Sequence, residues 1–193
     1  MPTRLTLRNE LLAMQAEDLV VRERLLEAGQ LEGGYNPEMA AVHSRNAARM
    51  REILDQHGWP TRTLVGVDGE EAGWLIVQHA IGDPDLQRRS LGLLQEAVAA
   101  QEAPAWHWAY LADRIAFFEG RPQRYGTHSD FDDEGYTAIY RLEDPEHVDE
   151  QRRSVGLGPL MSIGRDGQTP IDAESLRRYR ENGAAWARAA GWR

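Results

Sequence analysis

His79 is the side chain of this sequence best suited to chemistry, because an imidazole changes protonation near neutral pH and so serves as general base or acid. Its other ring nitrogen needs a holder, and either Asp113 or Asp18 could act as the carboxylate that orients a catalytic imidazole. His43 adds a second imidazole. These four residues lie on four separate helical segments, and they are expected to converge, since scattered buried ionisable groups are harder to satisfy than a cluster. Asn46, Gln78 and Gln123 offer amides suited to a polar substrate group, and Trp59, Trp74, Trp106 and Tyr125 offer aromatic walls. Arg114, Thr127 and His128 complete the set of candidate substrate contacts. A metal version of the site would use His43, His79 and a carboxylate, the ligand types of a mononuclear zinc or iron centre. No compact ligand motif is present, so neither a metal nor another cofactor is expected.

The elements that must position these groups are mostly helices. Leu7, Leu11, Met14, Asp18, Val21 and Leu25 make one stripe of a helix from about Leu5 to Gly29. Asp18 interrupts it, either paired at i+4 with Arg22 or aimed into a pocket. A loop from Gln30 to Asn36, marked by Gly33-Gly34, leads to a second helix over Pro37 to Gln56 with Met39, His43, Asn46, Met50, Ile53 and His57 on one face. Gly58-Trp59-Pro60 breaks it, and Thr61 to Gly69 reads as a short connection. The run Trp74-Leu75-Ile76-Val77-Gln78-His79-Ala80 is apolar all round and predicts a helix, about Glu70 to Ile81, buried on every side. Asp83-Pro84-Asp85 caps the next helix, to about Ala100, where Gln87 reads as a first-turn residue facing solvent. Trp106 to Glu119 follows, ended by Gly120, with Asp113 set among aromatics and expected to meet His79, Gln78 or the Tyr125 segment.

Strand character comes only later. Gln123 to Ser129 and Tyr136 to Leu142 flank an acidic turn, Asp130 to Gly135, and read as a β-hairpin. The turn half-resembles a calcium loop, but Glu134 is unusual at the fifth position and Arg141 replaces the Glu required at the twelfth. Asp144-Pro145 caps a short helix to about Ser154. A last helix, about 172–190, carries Leu176, Tyr179, Gly183, Trp186 and Ala190 on one face and either closes the core or docks on another subunit, which leaves a homo-oligomer open. The expected fold is therefore mainly α, a single-domain helical bundle over 1–193 with five or more helices and one small antiparallel hairpin.

Composition narrows the function classes. Thirty-one Asp and Glu against 22 Lys and Arg give a net charge of −9, which disfavours nucleic acid and anionic membrane as partners. The absence of Cys removes disulfides, thiolate ligands and a cysteine nucleophile together. No apolar run approaches the ~20 residues of a membrane span, and the start, Met1-Pro2-Thr3-Arg4-Leu5, lacks the apolar region of a secretory signal. A cytoplasmic location is the expectation. Gly156-Leu157-Gly158 lacks the context of a phosphate loop, and no Gly-x-Ser-x-Gly elbow or His-Glu-x-x-His occurs.

Several short motifs then stand in a fixed order: His43…Asn46, Gly58-Trp59-Pro60, Val65-Gly66, Trp74…Gln78-His79-Ala80, Ala109-Tyr110-Leu111…Asp113-Arg114, Gly120-Arg121-Pro122-Gln123…Tyr125-Gly126-Thr127 and Val155-Gly156-Leu157…Pro159-Leu160. In this combination the chain resembles an uncharacterised bacterial family catalogued as domain-of-unknown-function family 6624, with a family-like core over about 39–160. That family usually has Gln at the place of His128, so the resemblance gives no support to His128 as an essential ligand. It supports a site and implies no activity. The residues themselves favour an enzyme acting on a small polar metabolite by acid/base chemistry, a hydrolysis or a rearrangement. The alternatives are a non-catalytic binding module with a structural polar network, and a mononuclear metal-dependent enzyme.

Overall fold

The computed structural model describes residues 4–31 and 34–193. The first residues, read above for a secretory signal, and Gly33 of the first loop lie outside this span. Among the described residues are seven helices and one two-stranded antiparallel sheet, so the mainly α architecture with a small hairpin is the one expected. The chain forms two compact units, Met1–Pro104 and Ala105–Arg193. No described helix is long and apolar enough to cross a membrane.

The first unit holds α1 (Arg4–Glu27), α2 (Pro37–His57), α3 (Arg62–His79) and α4 (Pro84–Ala99). α1 packs on α3 and α2, α2 also on α3, and α3 on α4. The stripe of α1 turns inward as its periodicity demands: Leu7, Leu11, Asp18 and Leu25 are all buried. α2 starts where Asn36 accepts from the backbone N–H of Glu38 and Met39, with Pro37 in the first turn. Its inward face runs through Met39, Val42, Asn46, Met50 and Ile53.

α3 departs from the expected connection. Its first turn already begins at Arg62, and a kink at Gly66 (φ 78°, ψ 172°) re-aims the chain before the main helix. Only glycine holds that backbone conformation without cost, and the Arg8–Asp68 ion pair braces the bend from α1. Nor is the helix buried on every side. Ile76, Val77, Gln78 and Ala80 are buried, but Trp74, Leu75 and His79 are half-buried and Glu71 is exposed. At its other end Gln87 is fully buried rather than facing solvent. Its Nε2 donates to the last-turn carbonyls of Val77 (2.7 Å), which Ala80 N–H also reaches at 3.2 Å, and Gln78 (3.1 Å).

The second unit contains α5 (Ala105–Phe118), β1 (Ser129–Phe131), β2 (Thr137–Ile139), α6 (Val148–Ser154) and α7 (Ala173–Ala189). The strands pair Ser129 with Ile139 and Phe131 with Thr137, so the hairpin is shorter than expected and Asp130 and Phe131 belong to a strand, not the turn. Gln123 still pairs with the Arg141–Glu143 backbone, but residues 124–128 stay irregular because side chains take the N–H groups of Arg124, Tyr125, Thr127 and His128. The turn closes on Asp132, whose Oδ1 accepts from Glu134 and Tyr136 N–H (2.9 Å each) and whose Oδ2 pairs Arg165, an arrangement with no calcium-loop character. α6 begins later than expected, at Val148, with Asp144 accepting from His147 N–H ahead of it. α7 is capped by Asp172, and its Trp186 and Tyr179 pack on Phe118 and Phe131, so this tail closes the core of its own unit.

Gly73 shows how tightly α3 is set. A Cβ there would lie 2.7 Å from Cγ of Pro60, a rigid ring beside the Trp59 turn. Gly73→Ala should therefore destabilise the chain by about 1–3 kcal/mol through overpacking, read as a lower urea midpoint with an unchanged slope; an unchanged midpoint would show that α3 has slack.

Candidate active site around Asp18

Asp18 is the centre of the first unit's polar chemistry. Its side chain has no exposed surface, and two imidazoles approach it from two other helices. His79 Nδ1 lies 2.8 Å from Oδ1 in hydrogen-bonding geometry. His43 Nε2 lies 3.2 Å from Oδ2 but off the hydrogen-bond line, so both of these buried atoms lack a bonded partner. The two rings sit 5.2 Å apart, and the Tyr35 hydroxyl reaches His43 Nδ1 at 2.8 Å. Burial alone would raise the Asp18 pKa, but the two imidazoles held against it, His43 and His79, outweigh burial and hold the carboxyl at about 2. Asp18 is thus a carboxylate at neutral pH. Burial, and then the Asp18 charge, push the Tyr35 pKa up, which keeps its hydroxyl protonated.

The reading of Asp18 as partner of Arg22 is set aside, since Arg22 is exposed and Asp18 faces the two imidazoles. The His79 ring retains 22 % exposure. A separate groove of about 390 Å³ reaches His43, with Tyr35, Ala47, Arg51, Ala80 and Asp83 among its walls. Arg51 and Asp83 pair across it through Arg51 Nε at 2.8 Å. Among the described residues, Asp18, His43 and His79 are one group spaced for a metal ion, each offering a ligand atom within 4.8 Å of the others.

Other first-unit candidates divide. Gln78 is buried with both amide atoms unpartnered. Asn46 is buried, and its amide reaches the Met14 carbonyl at 3.4 Å, a tie between helices. Trp59 is core, with its indole N–H on Glu70 (3.2 Å), and is no pocket wall. Trp74 is half-buried.

Asp113 heads a different network in the second unit. Its two oxygens accept from the N–H groups of Arg124 (2.8 Å), Tyr125 (3.1 Å) and Thr127 (3.0 Å) and from the Thr127 hydroxyl (2.9 Å). Of the expected partners it meets the Tyr125 segment, and its acceptor capacity is spent there. Three of the four expected catalytic residues therefore meet, and Asp113 anchors a loop instead. Gln123 is consumed likewise: Nε2 donates to the His128 and Tyr140 carbonyls and Oε1 accepts from His128 N–H, all at 2.8 Å. Tyr125 packs in a core cluster with Ala109 and Val155. These side chains, with Thr127, build the loop and leave nothing for a substrate.

Arg114 and His128 are different. The buried Nε of Arg114 and Nε2 of His128 have no partner, and burial draws the guanidinium pKa down to about 10. Burial, then the Arg114 charge, push the His128 pKa down to about 3. A second groove, of about 440 Å³ beside the hairpin and Arg180, is lined by none of the candidate residues.

The family model matches residues 5–167, which takes in Asp18, His43, His79 and the whole Asp113 loop. The chain belongs to the family of unknown function DUF6624. α7 lies beyond the matched span. No curated protein and no solved structure matches the chain.

Sequence reasoning missed Tyr35, which sits in a loop where periodicity assigns no face, and missed the burial of Gln87. The last-turn carbonyls of α3, which a helix end leaves short of donors, were the available signal for Gln87.

Two outcomes test the division between site and scaffold. Asp113→Asn should cost about 2–3 kcal/mol, because an amide nitrogen would face loop N–H groups; a melting point equal to the wild type would contradict the anchoring role. His128 in the folded chain resists a proton that the unfolded chain accepts near pH 6.5. Its contribution to stability is therefore present above that pH and lost as pH falls towards about 3. His128→Gln should flatten this loss, seen in urea unfolding at pH 7, 5.5 and 4.5, and parallel curves for the two chains would refute it.

Proposed function

We propose that this protein is an enzyme acting on a small polar metabolite, with Asp18, His43 and His79 as its reacting centre and acid/base chemistry, a hydrolysis or rearrangement, as its class. The observation that carries the proposal is the His79 ring, held at Nδ1 by a buried carboxylate while part of its surface meets solvent. A carboxylate in that place fixes ring orientation and tautomer, the arrangement a working imidazole needs. Asp18 is the orienting group, Gln78 the amide that contacts substrate, and the Tyr35–His43 groove the approach to the centre. The acidic surface and the absence of Cys fit a small-molecule partner in a reducing cytoplasm better than a nucleic acid or a membrane.

The alternative, a non-catalytic module with a structural network, is the better description of the Asp113 loop, where every carboxylate oxygen is used. It fits the Asp18 cluster less well. There Asp18 Oδ2 and His43 Nε2 are buried without partners, as are both amide atoms of Gln78, the neighbour of His79 in sequence, a cost of about 1–3 kcal/mol each that a purely structural network has no reason to keep.

His79→Gln separates the two. An amide can keep the bond to Asp18, so stability should fall by no more than about 1 kcal/mol, whereas the responses of the wild type in a metabolite thermal-shift screen should vanish. A variant that melts much earlier yet keeps every ligand response would overturn the catalytic assignment.

A further inference from the structure

We propose that Asp18, His43 and His79 bind one divalent transition-metal ion, zinc or iron(II), through a carboxylate oxygen, Nε2 of His43 and Nδ1 of His79. This deepens the function above and rests on its reading of the cluster as the reacting centre. It names a metal-held water as the acid/base agent.

Three observations carry the site. The donor set is two imidazoles and one carboxylate, delivered by α1, α2 and α3, with one ligand atom from each within 4.8 Å of the others. That set suits zinc and iron(II), while calcium and magnesium prefer oxygen throughout. Next, the contact of His43 Nε2 with Asp18 Oδ2 is close, at 3.2 Å, yet misaligned for a hydrogen bond. Two buried atoms that converge without bonding each other are placed to share a third atom. Lastly, His43 carries a second partner: the Tyr35 hydroxyl at 2.8 Å from Nδ1. A metal-bound histidine characteristically donates its other N–H to such a group, which fixes the ring and raises its basicity.

Loading the site needs no net proton loss from the imidazoles. The His79 proton passes from Nδ1 to Nε2, and the His43 proton passes from Nε2 to Nδ1, with the Tyr35 hydroxyl turning from donor to acceptor. The partial exposure of His79 gives the ion its entry. Three protein ligands leave an open coordination position, the mark of a catalytic rather than a structural zinc site.

The test uses the full chain, stripped with a chelator. Cobalt(II) should bind at one equivalent with visible d–d bands. Zinc should move the imidazole NMR signals of His43 and His79 while leaving those of His57, His107, His128 and His147 in place. Elemental analysis of the protein as purified tells zinc from iron. Tyr35→Phe keeps the ring and should weaken binding by about 10–100-fold, and His43→Gln should abolish stoichiometric binding. Because the NMR arm uses the wild type, it stands even where a variant fails to fold. Zinc that moves His57 or His147 instead, or that moves no ring, overturns the site. Loss of metabolite responses in His79→Gln without any metal binding also overturns it, and leaves the imidazoles themselves as the base. Metal bound at His43 and His79, with metabolite responses intact in His79→Gln, upholds the site and removes the catalytic reading.

Discussion

A single carboxylate with no access to water sets the terms for the first unit. Asp18 lies on a stripe that is otherwise Leu, Met and Val, where an ionised group is unfavourable unless charge or several donors surround it. Among the described residues no Arg pairs with it; His79 bonds one of its oxygens, and His43 lies close to the other. The demand acts on the backbone as well as on side chains. α1, α2 and α3 must cross at the depth of Asp18, and α3 must present His79 at its last residue. The kink at Gly66 and the close seat of Gly73 on Pro60 fix where that residue falls.

Asp113 shows what the alternative solution looks like. It too is a buried carboxylate on an apolar helix, but its donors are backbone N–H groups of one loop together with a hydroxyl. Such donors cannot exchange their protons for chemistry, and they hold a loop rather than a ligand. The kind of donor, more than the burial of the acid, separates the carboxylate of the scaffold from the one at the candidate site. The two residues look alike in the sequence, where each interrupts an apolar stripe. Only the fold, which supplies imidazoles to one and main chain to the other, distinguishes them.

The helices were legible because their periodicity is a direct consequence of having one buried face. Leu7, Leu11, Asp18 and Leu25 show this on α1, and Met39, Met50 and Ile53 show it on α2. The convergence of Asp18, His43 and His79 followed from the same stripes. What was not legible depended on partners remote in sequence. Residues 123–128 have strand-forming composition, yet between the backbone pairs at Gln123 and at the His128 carbonyl, Asp113 and Gln123 take the N–H groups before a ladder forms. Gln87 occupies a first-turn position that ordinarily faces water, but the end of α3 recruits it. Thr61 to Gly69 looks like a linker because glycine and valine carry no face, while the structure makes it a bent helical start.

The distribution of unpaired polar atoms then bears on function. Backbone demands have been met with some care, as Gln87 on the α3 carbonyls and Gln123 on the His128 carbonyl show. Against that background Gln78 stands out: it adjoins His79 on the same helix, and neither end of its amide is bonded. An apolar residue of similar size would remove this cost, since replacing an unsatisfied amide by a well-packed hydrophobe is neutral or stabilising. Local rules broken without structural return concentrate at functional sites. Gln78, the unbonded oxygen of Asp18 and Nε2 of His43 are three such breaks, and two of them fall within one cluster whose third member, His79, is the residue next to Gln78. A network kept for packing alone would close these valences internally.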